Sequence, residues 1–586
     1  MNNMKHISDK DHTINKRLHK LYGPEMAPRA VDSIIDLIFK YKSRIKSTEY
    51  QLSEKDIILI TYGDQVNKDY EPSLQTLKGF MDAHLKGVIN SIHILPFYPY
   101  SSDDGFSVVN YGAVDPKMGS WREIEQISGE YRLMVDGVIN HISQFSDWFK
   151  AYLAGDPYFQ DFFIDVDPSI DLSKVVRPRA LPLLSEFVDD SGKIRNVWTT
   201  FSKDQVDLNY KSHRVLRNVL EALFYYVEKG ATLIRLDAIA FIWKEIGTEC
   251  VHLEETHELI QLMREVLHEV APEVIIITET NVPHHENVSY FGSGDDEAQM
   301  VYNFALPPLL VHSILTGSTK TLTSWAQTIS LPSDKVCFFN FTASHDGIGL
   351  RPIKGILTEE EVTFVGDTVK SHGGLVSYKT DADGTESPYE LNCSYIDALT
   401  HPDEEDDIRY QRMLLAQATV LAMPGVPGIY FHSLVGSRNY KDGVKHSGVN
   451  RTINREKYHI DWLEKELATE GTLAKKVLSS YKRLISIRIN EPAFNPFGKF
   501  DFLNLGDTIF AVDQHSIDQQ ERIIAVHNFS NEVVECELPV ALNYPLTDIL
   551  ASGFDVNSND KSNVQDTKLK LEPYQMMWLK AFCKGF

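Results

Sequence analysis

The sequence predicts an α/β protein: a (β/α)8 barrel of the TIM type with inserted subdomains and a C-terminal antiparallel β domain. Three observations predict it. Eight short apolar, β-branched runs alternate with helical segments from residue 54 onward, two of the gaps between them are too long for ordinary connections, and after residue 492 helical patterning gives way to strands and Asp/Gly/Asn turns.

Residues 1–53 come first, and within them 16–46 carry Val31, Ile34, Ile35, Leu37 and Ile38 at helical spacing, which predicts a helical N-terminal extension. The barrel runs follow: DIILITY from 56, INSIHILP from 89, RLMVDGVIN from 132, TLIRLDAI from 232, VIIITET from 274, MVYNFALP from 300, VCFFNFTASHD from 336 and GVPGIYF from 425. Near-continuous apolarity is what strands buried on both faces require. The division expected is barrel over 54–141, an inserted subdomain over 142–198, barrel with the chemistry-bearing strands over 199–349, a loop-rich insertion over 350–405, barrel over 406–491, and the β domain over 492–586. The stretch SHGGLVSYKTDADGTESPYELN in the second insertion reads as a loop lying over a site.

A chain of 586 residues with 58 Lys+Arg against 82 Asp+Glu carries a formal charge of -24, which argues against nucleic acid or an anionic membrane as partner. The five cysteines, Cys250, Cys337, Cys393, Cys536 and Cys583, are scattered without metal spacing and read as reduced. Neither an apolar leader nor a run of about 18 apolar residues is present, so the expected location is cytoplasmic.

In such a barrel the carboxyl ends of the strands open into the active site. Asp64 follows the first run, Asp136, Asn140 and His141 lie in the third, Arg235 and Asp237 in the fourth, Glu279 ends the fifth, and His345 and Asp346 end the seventh. Arg235 and Asp237 are two apart and share a face. An arginine there holds an aspartate ionised for nucleophilic attack, or else the two form a buried ion pair that sets register. With Glu279 and Asp346, three carboxylates converge on one mouth. Retaining glycoside chemistry needs that set: a nucleophile, an acid/base and charge to stabilise an oxocarbenium-like transition state.

VDGVINH, IRLDAI, ITET and TASHD resemble the four signature segments of the α-amylase clan, glycoside hydrolase family 13, and IHILPFYPYSSDDGFSVVNYGAVDPKMGSW resembles its sucrose phosphorylase branch. The likeness runs from about residue 50 to the C-terminus. It implies Asp237 as nucleophile, Glu279 as acid/base and Asp346 as transition-state stabiliser. It further implies that Asp64 and Arg455 grip the distal glucosyl hydroxyls, and that Tyr111, His141, Phe201, Gln205, Arg235 and His345 line the sugar subsite. Arg177 and Arg179 in VVRPRALP match the branch's phosphate-side motif, and Arg351, Tyr389 and Glu390 fall on the acceptor side. The implied reaction is a double displacement yielding glucose 1-phosphate, with a small sugar and inorganic phosphate as partners, no cofactor, no metal, and a homodimer as the common assembly. Asn140 matches a position that binds calcium in some amylases, without recognisable loop partners.

Three departures concern the acceptor: the connection LRPIKGIL after HDGIG, Asn281 in place of a histidine, and Glu390 in place of a glutamine. A carboxylate at 390 would repel an anionic acceptor, which ranks sucrose first, then glucosylglycerol, above glucosylglycerate and sucrose 6'-phosphate. Arg351 and Lys354 reverse that ranking if they face the pocket. The competing readings are a hydrolase or transglucosidase on the same barrel and a barrel retained as a binding module.

Overall fold

The computed structural model describes residues 9–46, 50–178, 181–380, 386–539, 546–551, 563–564 and 567–582. All eight expected runs contribute a strand to one closed parallel barrel: β1 (Ile58–Thr61), β2 (Ser91–Ile94), β3 (Arg132–Gly137), β4 (Ala231–Leu236), β5 (Ile275–Thr278), β6 (Met300–Tyr302), β7 (Cys337–Phe341) and β8 (Val426–Tyr430). Each pairs with its sequence neighbours, and β1 closes the ring on β8 through Ile58 opposite Gly428. Gly428 is a packing requirement, because a Cβ there would sit 2.3 Å from the Phe339 ring that fills the barrel interior.

The strands are shorter than the apolar runs. MVYNFALP is strand only to Tyr302, after which Leu306–Thr316 forms a helix with proline in its first turn, where a missing N–H costs nothing. Around the barrel, helices such as His213–Glu228 and Glu254–Val270 bury one apolar stripe against the strands.

The N-terminal extension is α1 (Asp9–Lys42), broken at Gly23 (φ 68°) ahead of Pro24 and Pro28. Ile34, Leu37, Ile38 and Tyr41 are buried at i, i+3, i+4 and i+7. Arg17 meets Glu258 at 2.6 Å and Glu265 at 2.8 Å, so α1 is strapped across the helix Glu254–Val270.

Both long gaps hold excursions. The first contains the hairpin Leu184–Val188 with Ile194–Trp198, and the short pair His141–Ser143 with Gln205–Asp207 ties its two ends together beyond 142 and 198. The second is more regular than its composition predicts. Helix Glu359–Ser371 is followed by strands Leu375–Thr380 and Glu386–Asn392 in one antiparallel pair, so the expected loop is largely a hairpin whose 381–385 lie outside the described residues. Its backbone groups pair with each other, which a polar composition does not forbid. The C-terminal region is antiparallel, centred on Ile509–His515, Glu521–Asn528 and Met576–Phe582. Among the described residues no helix is long and apolar enough to cross a membrane. Of the cysteines, Cys250, Cys337, Cys393 and Cys536 are free, and Cys583 lies outside the described residues.

Candidate active site

Backbone register builds the floor. Asp136 on β3 stands opposite Arg235 on β4. Asp237 and Glu279 each lie one residue past a strand end and still continue the ladder, Asp237 N–H donating to Gly137 O (3.2 Å) and Glu279 N–H to Leu236 O (3.2 Å). The two carboxylates are therefore as rigidly placed as the barrel itself.

Arg235 organises them. Its Nη1 donates to Asp136 and, at 2.8 Å, to Asp237, while its Nη2 is 3.7 Å from Glu279. Asp136 is held from behind by His93 Nε2 at 2.8 Å, and Tyr302 and Phe106 lie 5.5 and 5.6 Å from the guanidinium carbon. Burial pushes both the Asp237 and Glu279 carboxyls up; repulsion from Glu279, Asp136 and Asp346 adds to the rise at Asp237, and repulsion from Asp346 and Asp136 to that at Glu279, while Arg235 opposes both. The pair cannot ionise independently. Arg235 approaches Asp237 (2.8 Å) more closely than Glu279 (3.7 Å), which favours the charge on Asp237.

Ala238, immediately after Asp237, is left-handed (φ 49°), a conformation that costs a non-glycine residue free energy and clusters at functional sites. That turn aims its N–H at Glu279 Oε2, 2.9 Å away. Asp346 comes from the loop beyond β7. Burial alone would raise its carboxyl, but Arg451 Nη1 at 2.5 Å, with His345 and Arg455 near, holds it well below the usual range and charged.

Asp237, Ala238, Glu279 and Asp346 line a pocket of about 110 Å³ together with His141, Phe201, Gln205, His345, Arg351, Tyr389 and Arg451. That is a fraction of the several hundred Å³ of sites that enclose a large ligand. His345 stacks on Phe106 at 4.6 Å and burial pulls it down to about 3, so it is a neutral hydrogen-bonding ring. His141 Nε2 donates to Phe106 O at 2.8 Å. Gln205 Nε2 donates to the same oxygen and to Asp103 Oδ2, both at 3.2 Å.

Two expected sugar contacts move. Asp64 does not meet Arg455: it pairs with Lys457 at 2.7 Å, and Arg455 instead faces Asp104 at 3.5 Å while donating to His345 O at 2.8 Å. The reason is the DDG turn, in which Asp103 and Asp104 are both left-handed (φ 52°), a conformation aspartate tolerates better than most residues, followed by Gly105 at 111°. The turn puts Asp103 in the pocket lining and sets Asp104 against Arg455. Tyr111 is not in the pocket either. Its hydroxyl donates to Val138 O at 2.8 Å and its ring packs on Trp148, so it supports the backbone leading to His141.

The acceptor side divides similarly. Arg177 is exposed and outside the pocket lining, its neighbour Pro178 lines the pocket, and Arg179 lies outside the described residues. Tyr389 and Arg351 do line it. Glu390 is buried and gripped by Arg451, with Nη2–Oε2 at 2.6 Å and Nε–Oε1 at 3.1 Å. Arg451, Phe106 and Asp103 were not expected at the site. For the aspartate the signal was DDG, a turn able to point inward; for Arg451 there was none.

Asn140 Oδ1 accepts from Lys244 Nζ at 2.7 Å, and the same ammonium meets Asp207 at 2.7 Å, so a lysine occupies the neighbourhood of the position that resembles a calcium ligand. Among the described residues no group of three or more His, Cys, Asp or Glu is arranged to hold a metal.

Residues 77–339 match the family model described as the alpha amylase catalytic domain. A glucosylglycerate phosphorylase of Spirochaeta thermophila is 43% identical over 574 residues, covering 96% of this chain and 97% of that one. The chain belongs to the α-amylase family, in its phosphorylase branch. A sucrose phosphorylase of Agrobacterium vitis is 30% identical, covering 76% of this chain and 90% of that one. The crystal structure of sucrose 6F-phosphate phosphorylase from Thermoanaerobacter thermosaccharolyticum has a TM-score of 0.71 at 25% identity, covering 81% of this chain and 94% of that one. This member of the family is a retaining α-glucoside phosphorylase, a glycosyltransferase-type enzyme acting on a sugar and phosphate.

Proposed function

We propose that the protein phosphorolyses glucosylglycerate, giving α-glucose 1-phosphate and glycerate. The observation that carries this reading is the charge of the acceptor wall. Sucrose ranked first because Glu390 was expected to repel an anionic acceptor, and that ground weakens: Glu390 lies outside the pocket lining and is held by a two-point contact from Arg451, while Arg351 lines the pocket. Among the described residues no carboxylate is in ion-pair contact with Arg351. The 43% identity to a relative bearing that activity, against 30% to one named for sucrose, supports the same choice.

In this reading Asp237 attacks the anomeric carbon as Glu279 gives its proton to the departing glycerate oxygen, leaving a β-glucosyl ester on Asp237. A phosphate oxygen then attacks from the face the glycerate left, Glu279 takes up its proton, and Asp237 is released; two inversions retain the α configuration. The residues proposed for the glucosyl unit are Asp103, Arg455, His141, His345, Phe201 and Gln205. Arg455 Nη2 and His345 Nδ1 are buried without a partner among the described residues, and sugar hydroxyls would satisfy both.

The test is incubation with phosphate and, separately, glucosylglycerate, glucosylglycerol or sucrose, assaying glucose 1-phosphate and free glucose. Phosphate-dependent glucose 1-phosphate from glucosylglycerate at a kcat/KM far above the other two is the expected result. Preference for sucrose or glucosylglycerol overturns the reading, and glucose release independent of phosphate would make the enzyme a hydrolase.

A further inference from the structure

We infer that Arg351 is a single anion receptor used twice in each turnover, first by the carboxylate of the departing acceptor and then by the phosphate that replaces it. The inference rests on the glucosylglycerate reading for its first half and on the pocket for its second.

Retention requires both reactants to use one face of the glucosyl unit, because the phosphate oxygen arrives where the glycosidic oxygen departs. In an α-hydroxy acid the carboxylate lies one carbon beyond that oxygen, and in phosphate the remaining charged oxygens lie on the same phosphorus as the attacking one. The two anions therefore present negative oxygens to nearly the same part of the wall. The wall there is made of Thr280, Asn281, Val282, Arg351 and Tyr389. Of its cations, Arg451 is committed, contacting Asp346 at 2.5 Å and Glu390 at 2.6 Å, which leaves Arg351 as the pocket-lining guanidinium without an ion pair among the described residues. A planar fork of donors suits a carboxylate and a phosphate alike.

Arg351 is also held in place. It begins the one-turn helix Arg351–Ile353, whose preceding Leu350 N–H donates to Tyr389 O at 3.0 Å. Two residues earlier, a Cβ at Gly349 would lie 2.6 Å from the Asn281 amide, so the segment is packed directly on the loop that follows Glu279. Asn281 Oδ1 is buried without a partner among the described residues, an acceptor for a hydroxyl of the same bound molecule. In a protein of formal charge -24, concentrating both anion-binding tasks on one arginine confines positive potential to where the reaction needs it.

The experiment compares wild-type enzyme with R351Q and R351K, with thermal midpoints as the check on folding. In the synthetic direction glycerate and glycerol serve as acceptors for glucose 1-phosphate; in the phosphorolytic direction the KM for phosphate is measured. R351Q is expected to raise the KM for phosphate and for glycerate in parallel, by roughly 10- to 100-fold, and to lower the glycerate-over-glycerol preference by a similar factor. R351K, which keeps the charge and loses the fork, recovers part of both. An unchanged KM for phosphate in R351Q, or in R351K should R351Q not fold, overturns the shared receptor. Refusal of glycerate by the wild-type enzyme overturns instead the glucosylglycerate reading.

Discussion

The floor of the pocket is held by backbone register, whereas its rim is held by charged side chains reaching between loops. On the floor, Asp136 faces Arg235 as a strand partner, and Asp237 and Glu279 stand one residue past the ends of adjacent strands. On the rim, Asp346 and Glu390, brought by the loop after β7 and the hairpin beyond it, are joined by Arg451, which arrives from the short helix Asn450–Asn454 more than a hundred residues after Asp346. The difference teaches where tolerance lies. A floor fixed by the ladder cannot be re-aimed without moving the barrel, so it keeps one donor chemistry. A rim joined by ion pairs can be re-pointed by single substitutions, and there acceptor choice is made.

The sharpest way to test that contrast is at the floor. Asp237→Asn is expected to cost on the order of 10⁴-fold or more in glucose 1-phosphate production while leaving the thermal midpoint unchanged; a loss under about a hundredfold would mean that the strand end is not where the covalent step occurs. Glu279→Gln should cost roughly 10²- to 10⁴-fold with a poor leaving group and far less with α-glucosyl fluoride, which needs no proton. The pH profile carries the sign. Burial raises the Glu279 carboxyl, the first half-reaction uses the protonated form, and so the rate of glucosyl transfer to Asp237 falls as pH rises through that raised value. In Glu279→Gln this alkaline limb should vanish.

Smaller effects separate a pocket-lining carboxylate from one outside it. Asp103→Asn should lower kcat/KM by roughly 10- to 100-fold, the worth of a charge-assisted contact. Glu390→Gln is expected to shift the KM for phosphate downward by about threefold, since it frees part of the Arg451 charge; no change would show that the Arg451 pair does not govern the rim. Asp64→Asn, which disrupts only a partly exposed pair with Lys457, should leave kcat/KM within about threefold, and a loss as large as that of Asp103→Asn would restore Asp64 to the sugar site.

The eight barrel strands were legible because a strand buried on both faces must be apolar along its length, and Ile58, Leu59 and Ile60 in β1 are all fully buried. Asp237 and Glu279 were legible for the same reason: a charge ending such a run has only the barrel mouth to face. Asp103 was not legible, since its place in the pocket depends on two successive left-handed residues, 103 and 104, which spacing does not encode. The second insertion, rich in Gly, Asp, Ser and Thr, was expected as loop, and strands formed there because the chain returns on itself and satisfies its own backbone.

By itself, then, the sequence determined the barrel and the placing of three carboxylates at or just beyond its strand ends, because period, burial and strand-end position are local properties. Only the tertiary structure decided which cation neutralises which anion. Arg451 against Glu390, Lys457 against Asp64 and Arg455 against Asp104 are separated by 61, 393 and about 350 residues, and Coulombic pairing depends on distance in space, which spacing along the chain does not encode. That choice left Arg351 without an ion pair among the described residues of the pocket lining.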